Sequence, residues 1–129
     1  TQHSGGGKAN QYFVRGFNLD HGTDFAVFAD AMPVNNRSHG HGQGYADLNF
    51  LIPELVETLD YTKGPYFADL GDFSTAGSAK FGLYDIIPHG TASITGGGDD
   101  YFRFLFMDSA KLGKGTLSTI LCFLLHGRP

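Results

Sequence analysis

The sequence contains no tryptophan and only one cysteine among its 129 residues. Cys122 cannot form a disulfide within the chain, so the cysteine content does not identify an oxidising compartment. Positive charge is also scarce: nine Lys and Arg residues stand against thirteen Asp and Glu residues, for a formal net charge of −4. Because the sequence has no basic cluster, nucleic acid is not expected as a partner.

Long apolar runs are missing as well, since no stretch approaches the ~20 residues that a membrane-spanning helix requires. Residues 1–10 are polar and glycine-rich, and they lack the apolar segment of a signal peptide. We therefore expect either an exported chain whose signal has been removed or a segment that begins inside a longer gene product.

Glycine and aromatic residues are abundant, with 19 Gly, 12 Phe and 6 Tyr. Glycine favours turns, bulges and close backbone contacts because it has no Cβ. Phenylalanine and tyrosine are large apolar residues that favour β-strands. The composition therefore favours a β-rich protein with many turns, and the length is enough for one ordinary domain.

The first third of the sequence predicts short strands. Alternating apolar residues predict a strand over residues 11–15. A hairpin is predicted from residues 25–28 and 32–34, with its turn at Asp30 and Ala31. Ala31 is a weaker turn residue than the glycine that usually follows Asp in such a turn.

One short helix is predicted over residues 48–56. Proline is accepted only in the first helical turn, so the helix proper should begin near Ile52, one residue before Pro53. A strand is predicted over residues 57–62, and residues 66–78 are predicted to be irregular because glycine interrupts them.

After about residue 77, alternating strands are predicted over residues 91–95 and 102–107, with a third apolar strand over 116–125. Phe102, Phe104 and Phe106 should share one face of the second strand. Strands of this kind fit the wall of a membrane β-barrel. They also fit a soluble antiparallel meander whose Phe face packs on a core, and periodicity alone favours the meander.

No catalytic residue is predicted. Gly5-Gly6-Gly7-Lys8 is followed by alanine, so the hydroxyl of a phosphate-binding loop is missing. Cys122 lies in an apolar strand without a polar neighbour, and the sequence contains no Gly-x-Ser-x-Gly nucleophile motif. These observations predict a protein that is not an enzyme and needs no cofactor.

His39-Gly40-His41 is the most metal-like feature of the sequence. Two histidines two residues apart in a loop can share one metal ion, and Asp20, His21 and Asp24 lie upstream. The sequence does not specify a third ligand, so no metal site is assigned. Solvated loop histidines and a metal-binding pair both remain open.

Three segments follow one another along the chain: Val14-Arg15-Gly16-Phe17, the hairpin sequence of residues 27–34, and residues 51–57 followed by residues 60–65. Their order and spacing resemble the plug domain of TonB-dependent outer-membrane receptors. Residues 71–81 resemble the end of the plug, and residues 84–121 resemble the first barrel strands of one subgroup.

The sequence departs from the family pattern at several positions. Ala31 replaces the hairpin glycine, and Thr58 stands where the family often has arginine. Residues 120–125 form a continuous apolar run instead of alternating. The family's plug begins earlier and its barrel needs many more strands, so we expect a fragment that is truncated at both ends.

The resemblance implies an α+β plug fragment over residues 1–82, built as a small mixed sheet with a short helix. Antiparallel strands of a transmembrane β-barrel are expected to follow over residues 83–129. The implied function is a part of an active transporter of the bacterial outer membrane for a scarce nutrient, such as an iron-siderophore or cobalamin. The plug would gate the barrel, and the TonB complex, the chelate or cobalamin-like ligand and outer-membrane lipid would be its partners.

The resemblance also implies the site residues. Residues 35–45 should face the incoming ligand, which His39, His41, Gln43 and Tyr45 would bind. Arg15 and Lys63 should contact carboxylates on the inner barrel wall. The alternative is a small secreted β-rich binding domain that uses His39 and His41 on a metal.

Overall fold

The computed structural model describes residues 12–14, 16–19 and 24–127. The chain divides into two compact units, residues 1–83 and residues 84–129. Within the described ranges, regular structure is β-strand apart from two 3-10 helices, Pro53–Leu55 and Ala68–Leu70. None of the helices found there has the length and apolar character to cross a membrane.

The first unit contains a small two-stranded sheet and a four-stranded mixed sheet. The strands are β1 (Phe13–Val14), β2 (Phe17–Asn18), β3 (Phe25–Ala29), β4 (Met32–Pro33), β5 (Val56–Lys63) and β6 (Gly77–Leu83). The mixed sheet has the order β4-β3-β6-β5, with β3 and β6 parallel and the other pairs antiparallel. The mixed sheet that the resemblance implies is therefore present.

One face of this mixed sheet carries the core of the first unit. Phe25, Val27 and Ala79 are buried there, together with Leu19 and Ala46 from the flanking segments. The Tyr12 ring stacks on Phe25 with 6.1 Å between ring centroids. Because side chains alternate along a strand, Ala26 and Phe28 of β3 lie on the opposite face.

The predicted hairpin is confirmed, and Asp30 explains why Ala31 is acceptable in its turn. Asp30 itself adopts a positive φ of 49°, which Asp accepts more readily than most residues. Its backbone N–H donates to the Phe81 carbonyl at 2.7 Å, and its carboxylate accepts from the Leu83 N–H at 2.8 Å. The turn is thereby fixed to the end of β6.

The predicted helix over residues 48–56 is wrong. Only Pro53–Leu55 forms a single 3-10 turn, and Val56 already begins β5. Ile52 has extended backbone angles, φ −84° and ψ 110°, as expected of a residue that precedes proline. Because only three residues separate this boundary from the strand, an α-helix has no room to form.

Strand β6 lies at the centre of the mixed sheet, although its first residues were predicted to be irregular. Gly77 has a φ of 150°, and a Cβ there would collide with the Thr62 carbonyl oxygen of the neighbouring strand. The glycine that looks like a strand breaker in the sequence therefore allows close strand packing in the structure. The predicted neighbouring strand over residues 57–62 is confirmed as β5.

The second unit is a three-stranded antiparallel sheet with the order β7-β8-β9. Its strands are β7 (Thr91–Gly96), β8 (Phe102–Leu112) and β9 (Gly115–Leu125). The three predicted strands are confirmed, and β8 and β9 are each 11 residues long.

The strand register places most of the large apolar side chains of the second unit on one face, which we call the Phe face. It comprises Ala92, Ile94, Phe102, Phe104, Phe106, Leu121, Phe123 and Leu125. Phe102 is 37% exposed and Phe106 is 38% exposed. Part of the Phe face is therefore exposed in the described part of the chain.

The opposite face of the second unit holds its buried residues. Leu105 is 0% exposed, and Met107 and Ile87 are also buried. The Ile87 N–H donates to Ser109 Oγ at 2.9 Å, and Ser109 Oγ is 2.8 Å from Ser118 Oγ. The segment before β7 is thus attached to the face that carries Leu105 and Met107.

Candidate functional site

The loop over residues 35–45 is anchored to the mixed sheet by one buried side chain, Asn35. Its Oδ1 accepts from the Val27 N–H at 2.7 Å. Its Nδ2 donates to the carbonyls of Phe25 and Gly44, each at 3.0 Å. Since Phe25 and Val27 belong to β3 and Gly44 lies near the end of the loop, Asn35 holds the loop against the strand.

Backbone hydrogen bonds close the same loop. The Asn36 N–H donates to the Tyr45 carbonyl at 2.9 Å, and the Gly44 N–H donates to the Asn36 carbonyl at 2.8 Å. Gly44 has a φ of 73°, a conformation that costs glycine little and most other residues more. The two ends of the loop are therefore held together before any ligand arrives.

Three of the four predicted ligand-binding side chains lie together in this loop, in a group that we call the ring cluster: His39, His41 and Tyr45. The His39 and Tyr45 rings stack with 4.4 Å between centroids and 7° between planes. His41 meets Tyr45 edge-on, with 5.3 Å between centroids and 68° between planes. The sequence alone gave no indication that these rings pack on one another.

The fourth predicted residue, Gln43, lies in the turn between His41 and Tyr45 with its side chain exposed. His39 Nδ1 accepts a hydrogen bond from the His41 backbone N–H at 3.1 Å. A nitrogen that accepts this bond is occupied within the loop, so Nε2 is the ring nitrogen of His39 that remains for a ligand.

The structure gives no support to a metal at this loop. Across the described residues there is no group of three or more His, Cys, Asp or Glu side chains placed to hold a metal ion. Asp24, one of the upstream candidates, is exposed, while Asp20 and His21 lie outside the described residues.

Arg15 and Lys63 are the two residues expected to contact the barrel wall. Arg15 lies outside the described residues. Lys63 is exposed at the end of β5, and its Nζ is 5.7 Å from the centroid of the Tyr61 ring. At that distance the cation is within the range of a weak cation–π contact. Gly77 pairs with Lys63 in the strand register.

Sequence reasoning missed a cavity on the face of the mixed sheet that carries Ala26 and Phe28. Its volume is about 200 Å³. Phe28, Leu70 and Phe73 contribute apolar surface, and Arg37 and Asp72 contribute charge. The lining residues come from two segments more than thirty positions apart, so no local sequence motif predicts the cavity.

Tyr12 is a second feature without a signal in the sequence. Its hydroxyl is buried and has no hydrogen-bond partner among the described residues. Burial raises the pKa of this hydroxyl above its ordinary value, and the negative charge of Asp47 adds to the increase. Tyr12 therefore stays neutral at physiological pH and packs as a core residue.

Comparison with known families identifies a match over the first part of the chain. The model of the TonB-dependent Receptor Plug Domain matches residues 1–78, which is more than half of the chain. The matched region contains the whole loop over residues 35–45, the hairpin of β3 with β4, and strand β5 with Lys63 at its end. The strands of the second unit, β7 to β9, follow the matched region.

Proposed function

The chain belongs to the TonB-dependent receptor plug family, and from this premise we propose that its first unit gates the barrel of an active transporter. Plugs of this family are components of TonB-dependent receptors of the bacterial outer membrane, and these receptors are transporters, not an enzyme family. The proposed cargo is a scarce nutrient held as a polar chelate, such as an iron-siderophore, or a cobalamin-like molecule.

The main evidence for the proposed ligand site is the ring cluster, which lies on a loop whose ends are hydrogen-bonded to each other. Stacked and edge-on ring pairs of this kind contribute about 0.5–1.5 kcal/mol each beyond the area that they bury. Together with the Asn35 anchor, they reduce the ordering that a ligand would otherwise have to impose on the loop. His39, His41, Gln43 and Tyr45 then offer hydrogen-bonding groups and ring faces to the cargo.

In the proposed cycle the ligand first binds at the loop over residues 35–45. The TonB complex then pulls on the plug, and the plug moves to open a path through the barrel. No covalent step is required, so residues of this chain act by binding and by holding the plug in place.

The second unit is proposed to be the first part of the barrel wall, in contact with outer-membrane lipid. The exposed Phe face supports this proposal, because the lipid side of a membrane barrel is apolar. The 11-residue lengths of β8 and β9 match the roughly 9–11 residues with which a tilted strand crosses a bilayer. The opposite face is less uniformly apolar than the Phe face. It carries the polar residues Thr91, Ser93, Thr95, Arg103, Ser109 and Ser118 together with the apolar residues Leu105, Met107, Ile120, Cys122 and Leu124.

The ligand site is tested by replacing both histidines, His39→Ala with His41→Ala, in the complete receptor. We expect ligand affinity to fall by roughly tenfold, which corresponds to about 1.4 kcal/mol. The assay is equilibrium binding to a panel of ferric chelates and to cobalamin. Replacing the exposed His89 by Ala is the matched control and should leave affinity unchanged. Wild-type affinity in the double variant would contradict the proposed site.

A further inference from the structure

The cavity of about 200 Å³ on the Ala26 and Phe28 face of the mixed sheet is separate from the ring cluster. Neither His39, His41 nor Tyr45 lines it. Asn35 and Arg37, from the start of the loop over residues 35–45, do line the cavity. Because the three rings do not, an inference about this cavity holds whether or not the ring cluster binds a ligand.

Most of the cavity lining is apolar, and the Asn35 amide, which also lines it, is already hydrogen-bonded to Val27, Phe25 and Gly44. Ala26 and Phe28 of β3 and Pro33 of β4 form one side, and Leu70 and Phe73 form the other. Apolar cavities of about 150 Å³ can hold a molecule the size of benzene. A volume of about 200 Å³ therefore suits one phenyl or branched aliphatic group rather than a drug-sized molecule.

The wall at Phe73 is held in an uncommon conformation. Phe73 has a φ of 65°, which is unusual for a bulky residue, and Gly71, two residues earlier, has a φ of 63°. Ser74 is buried, and its hydroxyl donates to the Gly71 carbonyl at 2.9 Å, which closes this turn. Backbone strain of this kind persists only where the surroundings impose it, and it places the Phe73 side chain at the cavity.

Two opposite charges line the cavity with the apolar residues. In the part of the chain that the structure describes, neither Arg37 nor Asp72 forms an ion pair or a side-chain hydrogen bond. The nearby cation Lys80 differs, because its Nζ is 3.2 Å from Asp69 and lies 5.7 Å from the Phe28 ring centroid. Lys80 and Asp69 neutralise each other, which leaves one positive and one negative group for a ligand.

We infer that this cavity binds a zwitterionic α-amino acid group with an apolar side chain. The side chain fills the space between Phe28, Leu70 and Phe73. The carboxylate of the ligand pairs with the Arg37 guanidinium, and its ammonium pairs with the Asp72 carboxylate. Charge complementarity selects this ligand class, because a molecule with only one of the two charges leaves either Arg37 or Asp72 unpaired.

The test compares three probes that differ only in charge: L-phenylalanine, 3-phenylpropanoate, which lacks the ammonium, and phenethylamine, which lacks the carboxylate. The 129-residue chain, labelled with nitrogen-15 and held in lipid nanodiscs, is titrated with each probe by NMR. We expect saturable shifts at Phe28, Leu70 and Phe73. Ion pairs at exposed groups are weak, so L-phenylalanine should bind about threefold to fivefold more tightly than either analogue.

Two variants test whether Arg37 and Asp72 cause the preference for L-phenylalanine. Arg37→Gln should lower the affinity for L-phenylalanine to that for phenethylamine and leave phenethylamine binding unchanged. Asp72→Asn should lower the affinity for L-phenylalanine to the affinity for 3-phenylpropanoate. The exposed residues Lys114 and Glu57 lie away from the cavity lining, so Lys114→Gln and Glu57→Gln are the matched controls.

Equal affinity for the three probes would overturn the inference, as would shifts that do not saturate or that map away from the three cavity residues. A preference for L-phenylalanine that survives both charge variants would overturn it too. The comparison of the three probes on the wild-type chain tests the preference for a zwitterion even where a variant fails to fold.

Discussion

At the scale of single residues, Tyr12 offers a test of the core. Its hydroxyl is buried and has no hydrogen-bond partner in the described part of the chain, while its ring stacks on Phe25. Tyr12→Phe keeps the ring and removes a polar group whose burial is uncompensated. We expect the free energy of unfolding to stay unchanged or to rise by up to about 1 kcal/mol. Chemical denaturation in a membrane mimetic measures it, and a clear loss of stability would contradict the account.

The pH dependence of the same variant follows from the raised pKa of Tyr12. A hydroxyl whose pKa is higher in the folded state holds its proton there more tightly than in the unfolded state. Its contribution to stability is therefore complete below the unfolded pKa, about 10. The contribution is lost as the pH rises through the folded pKa. The loss of folding stability at alkaline pH should therefore be smaller in Tyr12→Phe than in the wild type.

The sequence predicts His39, His41, Gln43 and Tyr45 as ligand-binding residues, and the structure adds what positions this loop. His39, His41, Gln43 and Tyr45 are polar or aromatic residues in a loop, and their composition alone suggested binding. Asn35 was not identified, because its three hydrogen bonds reach groups nine or ten positions away or on the adjacent strand. A buried anchor of this type depends on the strand register, which a local pattern does not specify.

At the scale of elements, Arg15 and Lys63 are proposed to contact the barrel, Lys63 from the end of β5. Arg15 and Lys63 should each pair with a carboxylate on the inner barrel wall, and removing one partner of such a pair leaves a buried charge unpaired. In the complete receptor, Arg15→Ala and Lys63→Ala should each increase the leakage of small antibiotics across the outer membrane. Antibiotic susceptibility measures this effect, with Lys114→Ala as a control, and unchanged susceptibility in both variants would count against the role.

The strands were predictable where the pattern was strong. Alternating apolar residues located β7 and β8, and the turn at Asp30 and Ala31 located the hairpin of β3 and β4. The errors have local causes that the sequence does not resolve. Pro53 was interpreted as a helix start, although the extended Ile52 and the early start of β5 leave space for one 3-10 turn only. Gly77 was interpreted as a breaker, although β6 needs a glycine there for close packing against β5.

At the scale of the whole molecule, the exposed Phe face predicts the behaviour of the 129-residue chain in water. A membrane barrel needs at least about eight strands to close, and the second unit has three. Contiguous exposed apolar surface and unpaired strand edges favour association. We expect the chain expressed alone to aggregate or to self-associate through residues 91–125.

Size-exclusion chromatography in buffer without detergent, followed by thermal unfolding, measures this association. Phe104→Ser with Phe106→Ser should shift the chain towards smaller species, because both changes remove apolar surface from the Phe face. A sharp monomer peak with a cooperative transition from the wild-type chain would contradict the prediction and favour a soluble secreted domain.

The central claim is that this chain forms the gate of a TonB-dependent transporter. The most direct measurement is the uptake of labelled ferric chelates and cobalamin by cells that make the complete receptor, with and without an active TonB complex. The account predicts that at least one of these ligands accumulates in cells with active TonB and fails to accumulate in cells without it. Uptake that is equal in the two kinds of cell, or absent for every ligand tested, would contradict the claim.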